Sequence, residues 1–518
     1  MFSKGRGIDL LRKVKISNGW VEGIPAADPR ITVFKGIPFA QPPVGDLRWR
    51  EPQQVKDWEG VLKCSMFGPI PMQSTPGLGD PEQLYNKEWH VDSDIAISED
   101  CLYLNVWTPA KKEDENLPVM VWIFGGGMVG GYTSEMEFDG ERIARRGVIL
   151  VSIGYRVNGF GFLAHPELTA ESSKGFSGNY GLLDQRAGLE WIQKNIKSFG
   201  GDPGNVTVCG QSAGGRSTLC HITSPINEGL FNKAIIQSGG GLMVGYRGFY
   251  PQLKTAEQKG IEFFDMLGVS NLKEARKLDA EFVLIKAMEF YTPQYRWGPI
   301  VDGYFIKEDP VEAIVAGRQH NIPCIASSTT NDMNFKPKFN TIDDLVEYAK
   351  ENFSDKAEDY IRLFDSCNGD MDSINQLAKY DALEIGNIAL AKEIVRHNKS
   401  KIYLSMFGPE MPGDNAGCFH SSDLWFTFET LAKCWRPFKG KHYDLARQMC
   451  NYWTNFVKNG DPNGNDNDGT PMPKWKPFDQ QDIKMMFFGD TAQMKISSDK
   501  MLDFLAEQEI AAAKRANK

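Results

Sequence analysis

Residues 205–214 read NVTVCGQSAG, an apolar run that stops at Gly210 and turns through Gln211, Ser212 and Ala213 into a helix-like stretch. A short, continuous apolar run bounded by glycine reads as a strand buried on both faces, as in a parallel sheet covered by helices. Working outward, Leu117–Phe124 (LPVMVWIF) ends the same way at Gly125-Gly126-Gly127, and Gly147–Ser152 (GVILVS) repeats the pattern. Between that run and Asn205 lies Leu182–Phe199, whose apolar residues recur at helical spacing and stop at Gly200-Gly201. Strand, helix, strand in this order is a βαβ unit. It predicts an α/β fold with a right-handed crossover and a large, mostly parallel twisted sheet carrying helices on both faces.

Lys233–Gln237, Ile322–Ser327 and Lys401–Phe407 read as further core strands. Residues 250–300 and 335–400 are rich in helix formers and are expected as helical insertions capping the carboxyl ends of the strands, where open α/β sheets place ligands. Asn459–Asp468 is a turn cluster before a helix-forming tail. The 518 residues, 41% hydrophobic and 24% charged, suit a folded enzyme-sized protein and exclude a fibrous or disordered one. One domain over residues 1–518 is expected, since large α/β enzymes wind this much chain around a single sheet.

The net charge of −9 comes without any long basic run, so nucleic acid is not expected as a partner. The first residues, MFSKGRGIDLLRKVKISNG, are charged throughout, and no stretch approaches the roughly 18 to 20 apolar residues of a membrane span. The nine cysteines form no CxxC pair and none lies in a nucleophile-type turn. Free thiols in a reducing compartment are the expectation, and a cytoplasmic chain with it.

Gly210-Gln211-Ser212-Ala213-Gly214 matches G-x-S-x-G, and its strand-to-helix setting is what gives the match weight. Flanking glycines permit a sharp turn that lifts the serine hydroxyl clear of the sheet, with the Ala213 amide facing an incoming carbonyl oxygen. The triple glycine after the strand 117–124 supplies a second set of amides able to stabilise an oxyanion, where one or two glycines would suffice for a turn. A serine needs a base, and histidine is the side chain whose ordinary pKa suits that task. Of His90, His165, His221, His320, His397, His420 and His442, His420 lies in a loop after the last clear strand, which fits the order serine, acid, histidine of the α/β-hydrolase fold. His221 sits on the helix leaving the serine and is expected to point away. Asp332, beyond the strand 322–327, is the expected acid, and Asp302 in Val301-Asp302-Gly303 is its rival, read as a turn aspartate.

The chain resembles the type-B carboxylesterase and cholinesterase family, and especially bacterial para-nitrobenzyl-type esterases. The likeness runs from Phe34-Lys35-Gly36-Ile37-Pro38-Phe39-Ala40-Gln41-Pro42-Pro43-Val44-Gly45, through Ser98-Glu99-Asp100-Cys101-Leu102-Tyr103-Leu104-Asn105-Val106, to Gly460-Asp461-Pro462-Asn463. It implies Ser212 as nucleophile, Asp332 as acid, His420 as base, and Gly126, Gly127 and Ala213 as oxyanion donors. It implies Ser238 as a second serine supporting the histidine side, and structural ion pairs of Arg48 with Glu99 and Arg156 with Asp184. Several positions depart from the pattern. Aspartate replaces the commoner glutamate at 332, Met333 a glycine, Gln211 a glutamate, and Phe124 a histidine or tyrosine. Pro71 stands where secreted relatives carry a cysteine, which leaves Cys101 without that partner.

The implied activity is hydrolysis of short-chain, aryl or arylacyl esters through an acyl-enzyme, with no metal or organic cofactor. Its expected partner is a small-molecule ester, on a monomer or small homo-oligomer. Phe124, Met128, Trp425 and Phe426, with the aromatic segment Phe290–Trp297, are the candidate pocket wall. Amide or lactone hydrolysis, or a non-catalytic cholinesterase-like binding protein, are the alternatives.

Overall fold

A computed structural model describes residues 10–80, 82–89, 94–244, 250–397 and 400–516. Its centre is an 11-stranded mixed sheet. Seven neighbouring strands are parallel, in the order Ile483–Phe488, Ile402–Phe407, Cys324–Thr329, Lys233–Gln237, Gly201–Gln211, Leu117–Ile123 and Ile149–Ile153. Antiparallel strands close both edges: Ala492–Ser497 on one side, and Tyr103–Thr108, Thr32–Pro38 and Ile24–Pro25 on the other. Each core strand read from the sequence lies within two residues of its observed start or end, apart from Gly201–Gln211, which begins four residues early. Ile149–Ile153 and Cys324–Thr329 are buried along their whole length, which is why they read as unbroken apolar runs and not as alternating ones.

The helix expected over 182–199 spans Tyr180–Asn195 and tightens into a 3-10 turn at Ile196–Phe199. Gly200 ends it at φ +82°, a left-handed conformation suited to glycine. Chain order places Ile149–Ile153 on one flank of Leu117–Ile123 and Gly201–Gln211 on the other. The carboxyl ends of Leu117–Ile123 and Gly201–Gln211 therefore lie side by side, with Ile123 opposite Gly210. That is a switch point, the place where an open sheet forms its crevice.

Residues 250–300 form the helices Leu253–Leu267, Leu272–Ala275 and Ala280–Phe290. They share an apolar cluster with Trp49, Phe160 and Phe162 that extends to Met128 and Ala213. The segment 335–400 departs from its reading as one capping insertion. Its last helix, Ala382–His397, packs on the strands Cys324–Thr329 and Ile402–Phe407 and on the carboxy-terminal helix Lys500–Ala516. It is a sheet-covering crossover, and because neighbours bury several of its sides it lacks the one-sided apolar stripe of a surface helix.

Both expected ion pairs are present. Arg48 Nη2 lies 2.6 Å from Glu99 Oε2, and Arg156 Nη2 lies 2.8 Å from Asp184 Oδ1 with both side chains almost wholly buried. Asp184 also accepts from the Arg156 amide, so the pair fixes the loop after Ile149–Ile153 to the helix Tyr180–Asn195. All nine cysteines are free thiols. Among the described residues no helix is long and apolar enough to cross a membrane.

Candidate active site

Ser212 stands between the strand Gly201–Gln211 and the helix Ala213–Thr223 with φ +56° and ψ −120°. A non-glycine residue there carries roughly 1–3 kcal/mol of strain. The surroundings hold it. Its amide donates to Gln237 O at 2.8 Å and its carbonyl accepts from Arg216 N at 2.9 Å. Three neighbouring glycines let the chain close so tightly: a Cβ on Gly210 would meet Gly214 O at 2.3 Å, on Gly214 Ile123 O at 2.0 Å, and on Gly239 Ser212 O at 1.8 Å.

His420 Nε2 lies 2.7 Å from Ser212 Oγ. Its Nδ1 bonds Asp332 Oδ1, and the other carboxylate oxygen accepts from Ser238 Oγ at 2.5 Å and Thr329 N at 3.0 Å. The Asp332 carboxylate is fully buried, while His420 keeps 16% of its side chain exposed. A backbone bridge between Asn331 and Phe419 ties the aspartate loop to the histidine loop. Beyond Asp332, Met333 N donates to Asp381 Oδ2 at 2.7 Å, and Ala382 N donates to Met333 O at 3.2 Å, so the loop that carries a methionine in place of glycine is pinned to residues 381–382. Burial, with the charge of Asp332 nearby, pushes the Asp381 carboxyl up to about 6.

The glycine loop passes directly over the serine: a Cβ on Gly125 would lie 3.1 Å from Ser212 Cβ. Gly126 and Gly127 have φ +107° and +65°, and a Cβ on Gly126 would strike Gly130 O at 2.3 Å. Among the described residues no acceptor pairs with the amides of Gly126 and Gly127, and Ala213, as the first helical residue, has no intrahelical one. Two side chains that the sequence did not reveal shape this loop. Tyr155 donates its hydroxyl to Phe124 O at 2.8 Å, and Gln73 grips Gly131, accepting from its amide at 2.9 Å and donating to its carbonyl at 3.0 Å. Both act across long stretches of chain, and no local pattern marks them.

Gln211 places Nε2 3.4 Å from His420 Nε2, beside the serine. Ser238 contacts the aspartate and not the histidine, because its backbone, at φ +45°, is anchored by a bond from its amide to Ser327 O, on the strand that leads to Asp332. Three pocket candidates lie elsewhere. Phe124 is fully buried and stacks on Tyr155 at 4.1 Å. Trp425 is equally buried and donates its indole N–H to Glu88 Oε1 at 2.9 Å, and Phe426 packs edge-on against Phe407 and Phe438. Aromatic residues just after the histidine loop meet the core, since the loop turns back onto the helix Gly440–Asn459. Met128 is 2% exposed within the apolar cluster beside Ala213, and Trp297 of the segment 290–297 is buried in the same cluster, bonded to Ala287 O.

The remaining histidines are bound elsewhere, and His90 lies outside the described residues. His165 caps the Glu167 amide, and His320, His397 and His442 meet the carbonyls of Ser224, Val315 and Glu410. His221 is buried between Gln185 and Asn227, and burial pushes its pKa down to about 3. It is therefore neutral in the fold but takes a proton in the unfolded chain below about pH 6.5, so stability is fully present above that pH and is lost as pH falls towards 3. His221→Gln should accordingly flatten the fall in Tm between pH 7 and pH 4 relative to wild type, measured by calorimetry. Asp302 accepts from the amides of Tyr304 and Ile306 in a buried turn, the structural place given to it over a role as the acid, and burial pushes it up to about 6. Burial also pushes the thiols of Cys64 and Cys324 up to about 12, which leaves them poor nucleophiles.

An imidazole between a hydroxyl and a buried carboxylate, under a loop of unpaired amides, can take a proton from oxygen while charge develops on a neighbouring carbonyl. The Carboxylesterase family profile matches residues 11–504. A fumonisin B1 esterase of Sphingopyxis macrogoltabida is 32% identical over 486 residues, covering 91% of this chain and 85% of its own. The para-nitrobenzyl esterase of Bacillus subtilis (strain 168) is 32% identical over 453 residues, covering 83% and 86%. Among solved structures a PNB esterase superposes with a TM-score of 0.77 at 27% identity, covering 96% of this chain and 99% of that one. The chain belongs to the carboxylesterase family and is a carboxylic-ester hydrolase.

Proposed function

We propose that Ser212 is the nucleophile of a two-step acyl transfer, with His420 as proton carrier and Asp332 as its orienting partner. The observation that carries this reading is the single chain of bonds from Ser212 Oγ through His420 to Asp332. Because Nδ1–H is held by the carboxylate, Nε2 presents its lone pair to the serine hydroxyl. Attack joins Oγ to the ester carbonyl carbon and moves the Oγ proton to Nε2, and the amides of Gly126, Gly127 and Ala213 receive the oxyanion. Collapse breaks the bond to the alkoxy oxygen, which leaves as alcohol with that proton. Water then repeats the sequence on the acyl-enzyme and releases the acid.

Short-chain, aryl and arylacyl esters are the proposed substrates, and the printed names of the relatives, which are esterases, support an ester over an amide. The helices of residues 250–300 share an apolar cluster with Met128 and Ala213, which supports placing the acyl chain on their side of the serine. The nine free thiols support a reducing, cytoplasmic setting. Steady-state rates on para-nitrophenyl acetate and butyrate, set beside the corresponding para-nitroanilides, test the class. Turnover of the esters with anilide rates lower by orders of magnitude is expected, and equal rates on the two series would make the enzyme an amidase.

A further inference from the structure

Arg216 is one turn beyond Ser212 on the same helix, partly exposed, and without a carboxylate partner among the described residues. Its Nε donates to Tyr250 OH at 3.0 Å and its guanidinium lies 4.4 Å over the Tyr250 ring, but neither terminal nitrogen has a bond among the described residues. The neighbouring carboxylate, Asp309, is occupied by the amides of Tyr250 at 2.5 Å and Val311 at 2.9 Å. With Tyr250 stacked on its face, the half-buried guanidinium keeps two terminal nitrogens that no acceptor among the described residues satisfies and that are not sealed from solvent, so they are free to donate to an incoming anion. The direction of that open edge is given by Gly298: a Cβ there would lie 3.9 Å from Arg216 Nη1 and 3.9 Å from Met128 Cγ. The guanidinium edge and the residue that follows the glycine loop thus share one space, which Gly298 leaves unfilled.

Which part of an ester reaches that space follows from the other two directions at Ser212. The alkoxy oxygen must face His420 Nε2 to receive its proton, and the carbonyl oxygen must face the amides of Gly126, Gly127 and Ala213. The acyl chain takes the remaining direction, away from the histidine loop. We infer that Arg216 is a carboxylate-binding subsite that selects esters whose acyl chain carries a second, free carboxylate, such as monoesters of dicarboxylic acids. The fork of the guanidinium suits a carboxylate in bidentate geometry, and the aromatic face of Tyr250 keeps it in place. This subsite rests on the serine mechanism above, since it is defined relative to the acyl-enzyme.

The test compares para-nitrophenyl hydrogen glutarate with para-nitrophenyl valerate, which matches it in chain length but lacks the charge, with spontaneous hydrolysis subtracted. Wild-type kcat/KM should favour the glutarate monoester by roughly tenfold or more, the worth of a hydrogen-bonded charge pair. Arg216→Met should bring that ratio to one or below, and Arg216→Lys should keep part of it. The ratio is taken on one enzyme at a time, so a general loss of activity in a variant cancels. A wild-type ratio at or below one, or a ratio that survives Arg216→Met, overturns the subsite. Ser212→Ala separates the two claims: silence towards both esters leaves the serine mechanism standing however the ratio falls, and persistent turnover of both overturns that mechanism instead.

Discussion

Ser212→Ala is expected to lower kcat for para-nitrophenyl esters by about four to six orders of magnitude while the protein stays folded. The hydroxyl's bond is to His420, so alanine removes the attacking atom without leaving another buried group unpaired. The backbone strain at residue 212 is unchanged, because alanine meets the same penalty at φ +56° as serine does. Tm should therefore move by no more than a few degrees, and residual hydrolysis should come from the amides of Gly126, Gly127 and Ala213 acting on bound water and ester. Stopped-flow or long-time absorbance assays on purified protein would measure it. A variant that keeps more than about one per cent of wild-type kcat would remove the serine from its role.

Asp332→Asn should cost about four orders of magnitude in kcat with little change in binding. The argument is one of tautomers. Ser238 Oγ and Thr329 N both donate to Oδ2, so an asparagine would keep its oxygen there and turn its NH2 towards His420 Nδ1. Nδ1 would then have to accept, the ring proton would move to Nε2, and Nε2 could no longer accept from Ser212. KM should change little and kcat should fall, and the split distinguishes this cause from a misfolded loop. Near wild-type kcat in Asp332→Asn would mean that the carboxylate does not orient the ring, and Asp381, one bond away from Met333, would need the same substitution next.

The sheet was legible in the sequence wherever a strand is covered on both faces, because burial leaves no room for polar alternation: LPVMVWIF, KAIIQ and KIYLSMF read as strands for that reason. The edges were not. Ile483–Phe488 and Ala492–Ser497 each carry a lysine among their apolar residues, half-buried Lys484 and exposed Lys495, and only the short Gly489-Asp490-Thr491 turn between them hints at a hairpin. The glycines at 210 and 214 read as residues that permit a sharp turn, and there, as at 125 and 126, a Cβ would collide with backbone; Gly127 instead has open space around it and needs glycine for its φ of +65°. Trp425 and Phe426 misled, because an aromatic pair after a loop looks the same whether it faces a cavity or the core. Ser238 pointed to the right neighbourhood and the wrong partner, a difference of one side-chain direction that only tertiary packing decides. Gln73 and Tyr155, which hold the glycine loop, leave no trace in local sequence, and Arg216 passed unremarked because an arginine on a helix is ordinary until its terminal nitrogens are found unmatched.

The most direct test of the account is where a serine-directed reagent attaches. Treating the native enzyme with an aryl phosphonate and mapping its peptides by mass spectrometry should yield one adduct, on Ser212, formed in step with loss of esterase activity and blocked in advance by a competing ester. Complete inactivation with the label on another residue, and Ser212 unmodified, would contradict it.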